Sequence, residues 1–352
     1  MYTTDQLYEQ FKRIKANDKL SKALGEPVTI DPTSITSLKA TDRSAIYQLS
    51  LATKQGTLPI VFKIFSAGKH KNDVEINMYK RAYKVMKSFL PTVYHMEAHG
   101  NDTWVFMEYV RQVRGQVTFT PQHFDYIIPS LAKLHASTFE SRFTKREKYF
   151  SPWLPLYHSS MMTQERQKQV KKTIELLQRA KDDAALEPVI SPYYTSLMSM
   201  LAKGPDFFPE LLRSGSAITH SDLHMQNICT HDATKSTAWD IQWIDWESAK
   251  YGPVWFDLVI LVEILIAFRK DWHAQGESIR RRAVDVYTKE MARYGIRFKG
   301  DALKLYKMAY CQRTLERGLH TQLRRYFEQR GGELLPYHLE KVTLWCKELG
   351  LT

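Results

Sequence analysis

A chain of 352 residues, 43% apolar and 25% charged, is long enough for two lobes with separate cores and has the make-up of a soluble globular enzyme, not of a disordered or fibrous protein. Its formal charge is +12, but the basic clusters at residues 142–148, 166–172, 280–282 and 324–325 are short and interleaved with Glu and Gln at helical spacing. They read as solvated helix faces, so no specific nucleic-acid partner is expected, while a basic surface suits a polyphosphate ligand.

The chain begins Met1-Tyr2-Thr3-Thr4-Asp5, without the basic-then-apolar layout of a secretion signal. Residues 6–16 place Leu7, Phe11 and Ile14 at helical spacing, which predicts a short amphipathic leading helix. From Ile35 the pattern turns to strands. Ala45, Tyr47, Leu49 and Leu51 alternate with Ile46, Gln48 and Ser50; residues 53–57 read as a turn and 58–65 as the returning strand. A helix over 72–87 carries Val74, Met78, Ala82 and Met86 on one stripe. Residues 93–98 and 103–110, joined by His99-Gly100-Asn101-Asp102, form another hairpin. After Val110 the strand signal fades. Helices are expected at 124–138, at 163–185, where Val170, Ile174 and Leu177 share a face, and from Phe256 onward, the last over 337–349. A β-rich island interrupts them at 218–244. The most apolar run, from Pro253 to Phe268, is cut by Asp257 and Glu263, so it predicts a buried helix and no membrane span. Cys229, Cys311 and Cys346 are odd in number, widely spaced and free of any C-x-x-C pair. That argues against a disulfide framework and predicts a reducing, cytoplasmic location.

The chemistry concentrates in Ile218-Thr219-His220-Ser221-Asp222-Leu223-His224-Met225-Gln226-Asn227-Ile228. Asn227 follows Asp222 by five residues and His220 precedes it by two; eighteen residues past Asn227, Ile244-Asp245-Trp246-Glu247 closes an apolar strand. Phosphoryl transfer needs little covalent help from a protein. It needs a carboxylate to orient the acceptor hydroxyl and accept its proton, and oxygen ligands to hold Mg²⁺ against the phosphates. Asp222 suits the first task; Asn227 and Asp245 suit the second. Earlier in the chain, Val61-Phe62-Lys63-Ile64-Phe65 puts a Lys on an otherwise apolar strand, where it is costly unless it meets a charge. Glu75, in the following helix, is the natural partner.

At these residues the sequence resembles the aminoglycoside phosphotransferase and choline kinase-like superfamily. Its catalytic loop reads H-x-D-x-x-x-x-N, and its metal-binding Asp follows a short hairpin later, as Asp245 does. Gly252-Pro253-Val254-Trp255-Phe256-Asp257-Leu258 is similar to the superfamily's Gly-x-x-x-x-Asp-Leu segment, whose Asp braces the catalytic loop from an apolar helix. Leu131-Ala132-Lys133-Leu134-His135-Ala136 looks like the helix leading toward that loop. Lys63 and Glu75 look like the kinase-type pair that steers the α- and β-phosphates. Met107-Glu108-Tyr109-Val110 resembles the kinase hinge, where backbone groups of Glu108 and Val110 would bind adenine. The turn Ala40-Thr41-Asp42-Arg43-Ser44-Ala45 departs from the kinase pattern. It has no Gly, although protein kinases use a Gly-rich turn to bring backbone close to phosphate. Side chains of Arg43 or Ser44 would make those contacts instead.

The resemblance implies an α+β, protein-kinase-like two-lobe fold. Residues 1–110 would form a small antiparallel β lobe with one inserted helix, and residues 111–352 a larger, mostly helical lobe carrying the catalytic loop and acceptor pocket. It further implies Mg²⁺, ATP or GTP as phosphate donor, and a small hydroxyl-bearing acceptor that no motif specifies. Plainer uses stand beside these. His220 is expected to hold the loop rather than act as a base, and Glu247 either reaches a second metal or the acceptor or forms a surface pair. His220 and His224 could bind zinc only on a helix, and the Asp/Asn pattern predicts a loop. Among whole-protein alternatives, a protein kinase is weakened by the missing Ala-Pro-Glu segment after Asp245. A catalytically silent scaffold on the same fold is weakened by the joint presence of Lys63, Asp222, Asn227 and Asp245.

Overall fold

The computed structural model describes residues 2–351. The chain opens with two helices, not one. Thr3 caps α1 (Thr4–Arg13) in a capping box with Gln6. Lys15 then takes a left-handed conformation, φ 54°, and α2 (Ala16–Leu24) starts anew. The expected helix to residue 16 therefore ends early: one residue in the left-handed region is enough to turn the axis.

Five strands follow: β1 (Thr29–Ala40), β2 (Ser44–Thr53), β3 (Gly56–Phe65), β4 (Val93–His99) and β5 (Asp102–Glu108). They form one antiparallel sheet in the order β1-β2-β3-β5-β4. The period-two alternation is realised: Tyr47, Leu49 and Leu51 of β2 join Ile60, Phe62 and Ile64 of β3 and Trp104 and Phe106 of β5 in one buried layer, closed by Leu7, Phe11 and Leu20 of the leading helices. The opposite face carries Lys63, Phe65, Val105 and Met107. It meets α3 (His70–Lys80) and the rest of the protein, with Val74 and Met78 packed in the same core as Phe65.

The expected stripe Val74, Met78, Ala82, Met86 is fully buried, but the helix is not continuous to residue 87. It breaks at Arg81–Ala82, resumes for one turn as α4 (Tyr83–Met86), and runs out as a 3₁₀ turn. The Asn77 amide donates to Asp73 O at 2.7 Å, and the N–H groups of Arg81 and Ala82 both reach Asn77 O, so the ladder slips by one residue.

The remainder is helical: α5 (Phe124–Ser137), the single turn α6 (Ser141–Thr144), α7 (Ser160–Lys181), the short α8 (Glu187–Ile190), α9 (Tyr194–Leu201) and α10 (Pro209–Leu212), then α11 (Trp255–Phe268), α12 (Gly276–Arg293), α13 (Ala302–Arg313), α14 (Leu319–Phe327) and α15 (Leu335–Glu348). The run interrupted by Asp257 and Glu263 is α11, buried from Trp255 to Glu263, and among the described residues no helix is long and apolar enough to cross a membrane. The β-rich island is smaller and reaches further than its sequence pattern. It comprises β6 (Ser216–Thr219), paired with β9 (Lys250–Pro253), and a two-residue ladder of β7 (Ile228–Cys229) with β8 (Gln242–Trp243). The segments between those short strands are loops, and they hold the polar motif.

Candidate active site

The loop at residues 220–227 is held from below by α11. Asp257, fully buried, accepts the backbone N–H of His220 on one oxygen and that of Ser221 on the other, each at 2.7 Å. Ser221 sits at φ 67°, a costly conformation for a residue with a Cβ, and these two bonds hold it there. His135 of α5 lies 3.2 Å from the same carboxylate and 2.7 Å from Tyr287 OH of α12. Burial pushes the Asp257 carboxyl up, but the bonds from His135 and the Ser221 N–H outweigh it and hold it below the usual carboxylate range.

His220 is equally buried. Its Nε2 lies 2.9 Å from Ile244 O, and its Nδ1 accepts the Asp222 N–H at 3.3 Å. Burial pushes its imidazole below the ordinary value, which favours the neutral ring and the tautomer protonated at Nε2. Both ring nitrogens thus bind backbone, one from each side of the motif. Residues 220–224 are not helical, only Met225–Asn227 forming a 3₁₀ turn, and His224 lies 3.6 Å from Asp222 Oδ2 and 3.3 Å from Asn227 Nδ2.

Asn227 donates from its amide to Asp222 O at 2.8 Å, and its own carbonyl accepts the N–H of Ile244 at 3.1 Å. One residue on, Asp245 turns out of the strand at φ 65°. Its charge acts on Glu75 and Tyr79 and on His220, and the 3₁₀ turn that follows it, Trp246–Ser248, packs against α3. The donors that would hold a metal, the Asn227 amide oxygen and the Asp245 carboxylate, are hard oxygens. Two such ligands fit Mg²⁺, which keeps waters and phosphate oxygens in the rest of its shell. Among the described residues no cluster of three His, Cys, Asp or Glu side chains gathers into the softer cage that zinc would need.

Across the cleft, Lys63 Nζ lies 2.8 Å from both oxygens of Glu75, and the two are 8% and 2% exposed. Tyr79 OH adds a bond to Glu75 at 3.1 Å. Burial pushes the Glu75 carboxyl up against the pull of Lys63. The strand that carries Lys63 pairs it with Ile46 and Val105, so the ammonium leaves the sheet toward α3 and the cleft.

At the edge of β5 the Glu108 N–H is taken by Thr92 O at 2.8 Å, and its carboxylate binds Thr92 N, His231 and Gln242. The N–H of Val110 bonds no group among the described residues. The glycine-free turn closes on Thr41, whose hydroxyl accepts the N–H groups of Arg43 and Ser44 at 3.2 Å each. Those amides therefore point into the turn. Arg43 reaches out instead and pairs with Glu247, which also binds Lys71 of α3 at 3.1 Å. These pairs join the segment after Asp245 to the sheet side of the cleft, and Glu247 also lines the cavity beside Asp222. Asn72 anchors the same turn by donating to Arg43 O at 2.8 Å and Ser66 O at 2.9 Å.

A cavity of about 930 Å³ opens from Asp222 into the helical part. Its apolar wall is α11, through Val259, Ile260 and Ile264, and its far wall is the junction of α13 and α14. Sequence reasoning did not reach Asn72, Lys71, Tyr79 or the α13–α14 wall; their contacts join segments far apart in the chain, and no local pattern marks them.

An antiparallel sheet with one inserted helix, an Asp–Asn loop and a helical acceptor side define a protein-kinase-like small-molecule kinase fold. The choline kinase from Cryptosporidium parvum superposes with a TM-score of 0.54 at 13% identity, over 92% of each chain. The Plasmodium vivax ethanolamine kinase does so with a TM-score of 0.50 at 14% identity, over 90% of this chain and 81% of that one. No curated protein matches the sequence. Residues 71–293 match the Ecdysteroid kinase-like family, and the chain belongs to it.

Proposed function

We propose that the protein is a phosphotransferase that moves the γ-phosphate of ATP or GTP onto a hydroxyl of a small molecule. The observation that carries this reading is the Asp222–Asn227 loop, braced from below by Asp257, together with the buried Lys63–Glu75 pair on the sheet and Asp245 at the end of the short hairpin. In this reading a small lobe ends near Val110, and residues 111–352 supply the loop and the acceptor cavity. The free Val110 N–H and the Glu108 carbonyl meet the base. Lys63, oriented by Glu75, steers the α- and β-phosphates. Asn227 and Asp245 hold Mg²⁺, which neutralises charge on the phosphates. Asp222 lines the acceptor cavity, aligns the hydroxyl and accepts its proton. His220 and Asp257 position that loop, and Arg43, with Ser44 beside it, covers the phosphates while tied to Glu247. A cytoplasmic location accords with three buried free cysteines.

The cavity beside Asp222 is a half-open cleft of a size suited to a small acceptor, and about 930 Å³ exceeds what choline or ethanolamine needs. The family name points to ecdysteroids as a first acceptor class, and the apolar α11 wall suits a bulky body of that kind. The test is ADP release across hydroxyl-bearing compounds, ecdysteroids included, for wild type and Asp222→Asn. Turnover should fall by at least about 10²-fold in the variant, with nucleotide affinity nearly unchanged. Equal turnover in both would remove Asp222 from the mechanism; no turnover in wild type with any acceptor would favour the silent scaffold.

A further inference from the structure

The wall of the cavity facing Asp222 is built in an unusual way. Helix α13 does not stop at Arg313 but passes through a π-helical turn, Thr314–Gly318, directly into α14. Such turns cost hydrogen-bond geometry and recur at functional sites. Here the turn brings Arg313, Thr314 and Arg317 onto the cavity surface together.

The two arginines have no partner. The buried arginines elsewhere are matched: Arg280 forks onto Glu263 at 2.7 and 3.0 Å, and Arg166 meets Asp206 and Tyr157. Arg313, half-buried and only stacked 5.4 Å from the Phe256 ring, makes no side-chain hydrogen bond or ion pair among the described residues, nor does the exposed Arg317. The one carboxylate on the same turn, Glu316, is already bound by Tyr157 OH at 2.6 Å and Gln312 at 3.3 Å. Of the other carboxylates lining the cavity, Glu263 is consumed by Arg280 and two tyrosines and Glu247 by Arg43 and Lys71, while Asp222, 3.6 Å from His224, bonds neither arginine. Lys250, at the start of β9, is a third cation whose ammonium bonds no partner among the described residues; burial, then the charge of Arg313, pushes it down to about 8. Burial and Arg317 likewise push the Arg313 guanidinium down. Glu316, Asp257 and Asp222 act on Arg313 only through their charge, and none of them bonds it, so two guanidinium groups face the cavity with their donors open to a ligand.

We propose that Arg313 and Arg317, backed by Lys250, form an oxyanion-binding site beside Asp222, taking a phosphate-, sulfate- or carboxylate-type group. Guanidinium pairs suit such planar or tetrahedral oxygens through charge-assisted bonds. Two sources carry that chemistry: an anionic substituent on the acceptor, or the phosphoryl group in transfer. The choice between them rests on the cavity being the acceptor pocket; the anion site itself does not.

Binding of inorganic phosphate to the full chain, measured by calorimetry at fixed ionic strength, tests this in three states: no nucleotide, saturating Mg·ADP, and a saturating non-hydrolysable Mg·ATP analogue. Arg313→Gln and the exposed Arg317→Gln should each weaken phosphate binding by about tenfold or more while leaving Mg·ADP affinity within about threefold. Binding that persists beside the triphosphate analogue assigns the site to an anion of the acceptor. Binding beside ADP that the analogue displaces assigns it to the transferred phosphoryl group. Equal phosphate affinity in wild type and both variants, or none in wild type, overturns the site. Failure of wild type to bind nucleotide would instead count against the proposed function, and the nucleotide-free arm would still decide the anion site.

Discussion

On the sheet side of the cleft and beneath the loop, buried charges meet partners inside the chain: Lys63 on Glu75, and Asp257 on His135 and two backbone N–H groups. On the helical wall opposite Asp222, Arg313 and Arg317 meet none among the described residues. A paired buried charge fixes geometry and resists loss, because removing one member strands the other. An unpaired one adds nothing to folding and is kept for what it binds. In the proposed function the first region would hold the parts common to phosphoryl transfer, and the second would meet the acceptor.

Lys63→Ala should give the largest effect in the paired region, lowering turnover by about 10²–10³-fold as loss of a fixed electrostatic contact does, with the circular dichroism spectrum unchanged. Its Glu75 carboxyl, already pushed up by burial, would then lack its cation and bind a proton more readily in the folded than in the unfolded state. The variant should therefore gain stability as pH falls from 7 toward 5. Activity within a few-fold of wild type would break the pairing argument and the small-lobe alignment with it.

Asp257→Asn comes next. It replaces an acceptor for two N–H groups with a side chain that can accept only one, and it should cost about 2–4 kcal/mol in urea unfolding. The sign with pH is opposite to that for Glu75. The folded-state Asp257 carboxyl is depressed, so its stabilisation is complete above an unfolded value of about 3.9 and is lost as pH falls through the folded one. Wild type and variant should thus converge in stability below about pH 4. Arg313→Gln, on the unpaired wall, should change stability least, by under about 1 kcal/mol. A large loss there would mean that Arg313 holds the fold, and the contrast between the regions would fail.

The paired region was also the legible one. Lys63 stood out because a charge on an apolar strand demands an answer, and Glu75 lies within reach along the following helix. The Asp222, Asn227 and Asp245 spacing lies within one short stretch, so the loop and hairpin that hold these residues could be read from local sequence. Strand β1 was missed over its first residues because only Ile30 and Ile35 of its twelve side chains are buried, so an edge strand exposed on both faces leaves no alternation to read. The left-handed Lys15 and the break at Arg81–Ala82 depend on single backbone angles and one amide bond. The Arg43–Glu247 pair spans 204 residues and His135–Asp257 spans 122, and pairs so distant have no signature in local spacing. The π-helical turn was illegible for the same reason: Thr314–Gly318 reads as ordinary helix, and only the cavity beside it gives the turn a purpose.

The most direct measurement is calorimetry of a non-hydrolysable ATP analogue, with and without Mg²⁺, on wild type and Asp245→Ala. Binding is predicted to require the metal and to weaken by about tenfold or more in the variant, a change of about 1.4 kcal/mol. Unchanged affinity after chelation, or in Asp245→Ala, would contradict the account.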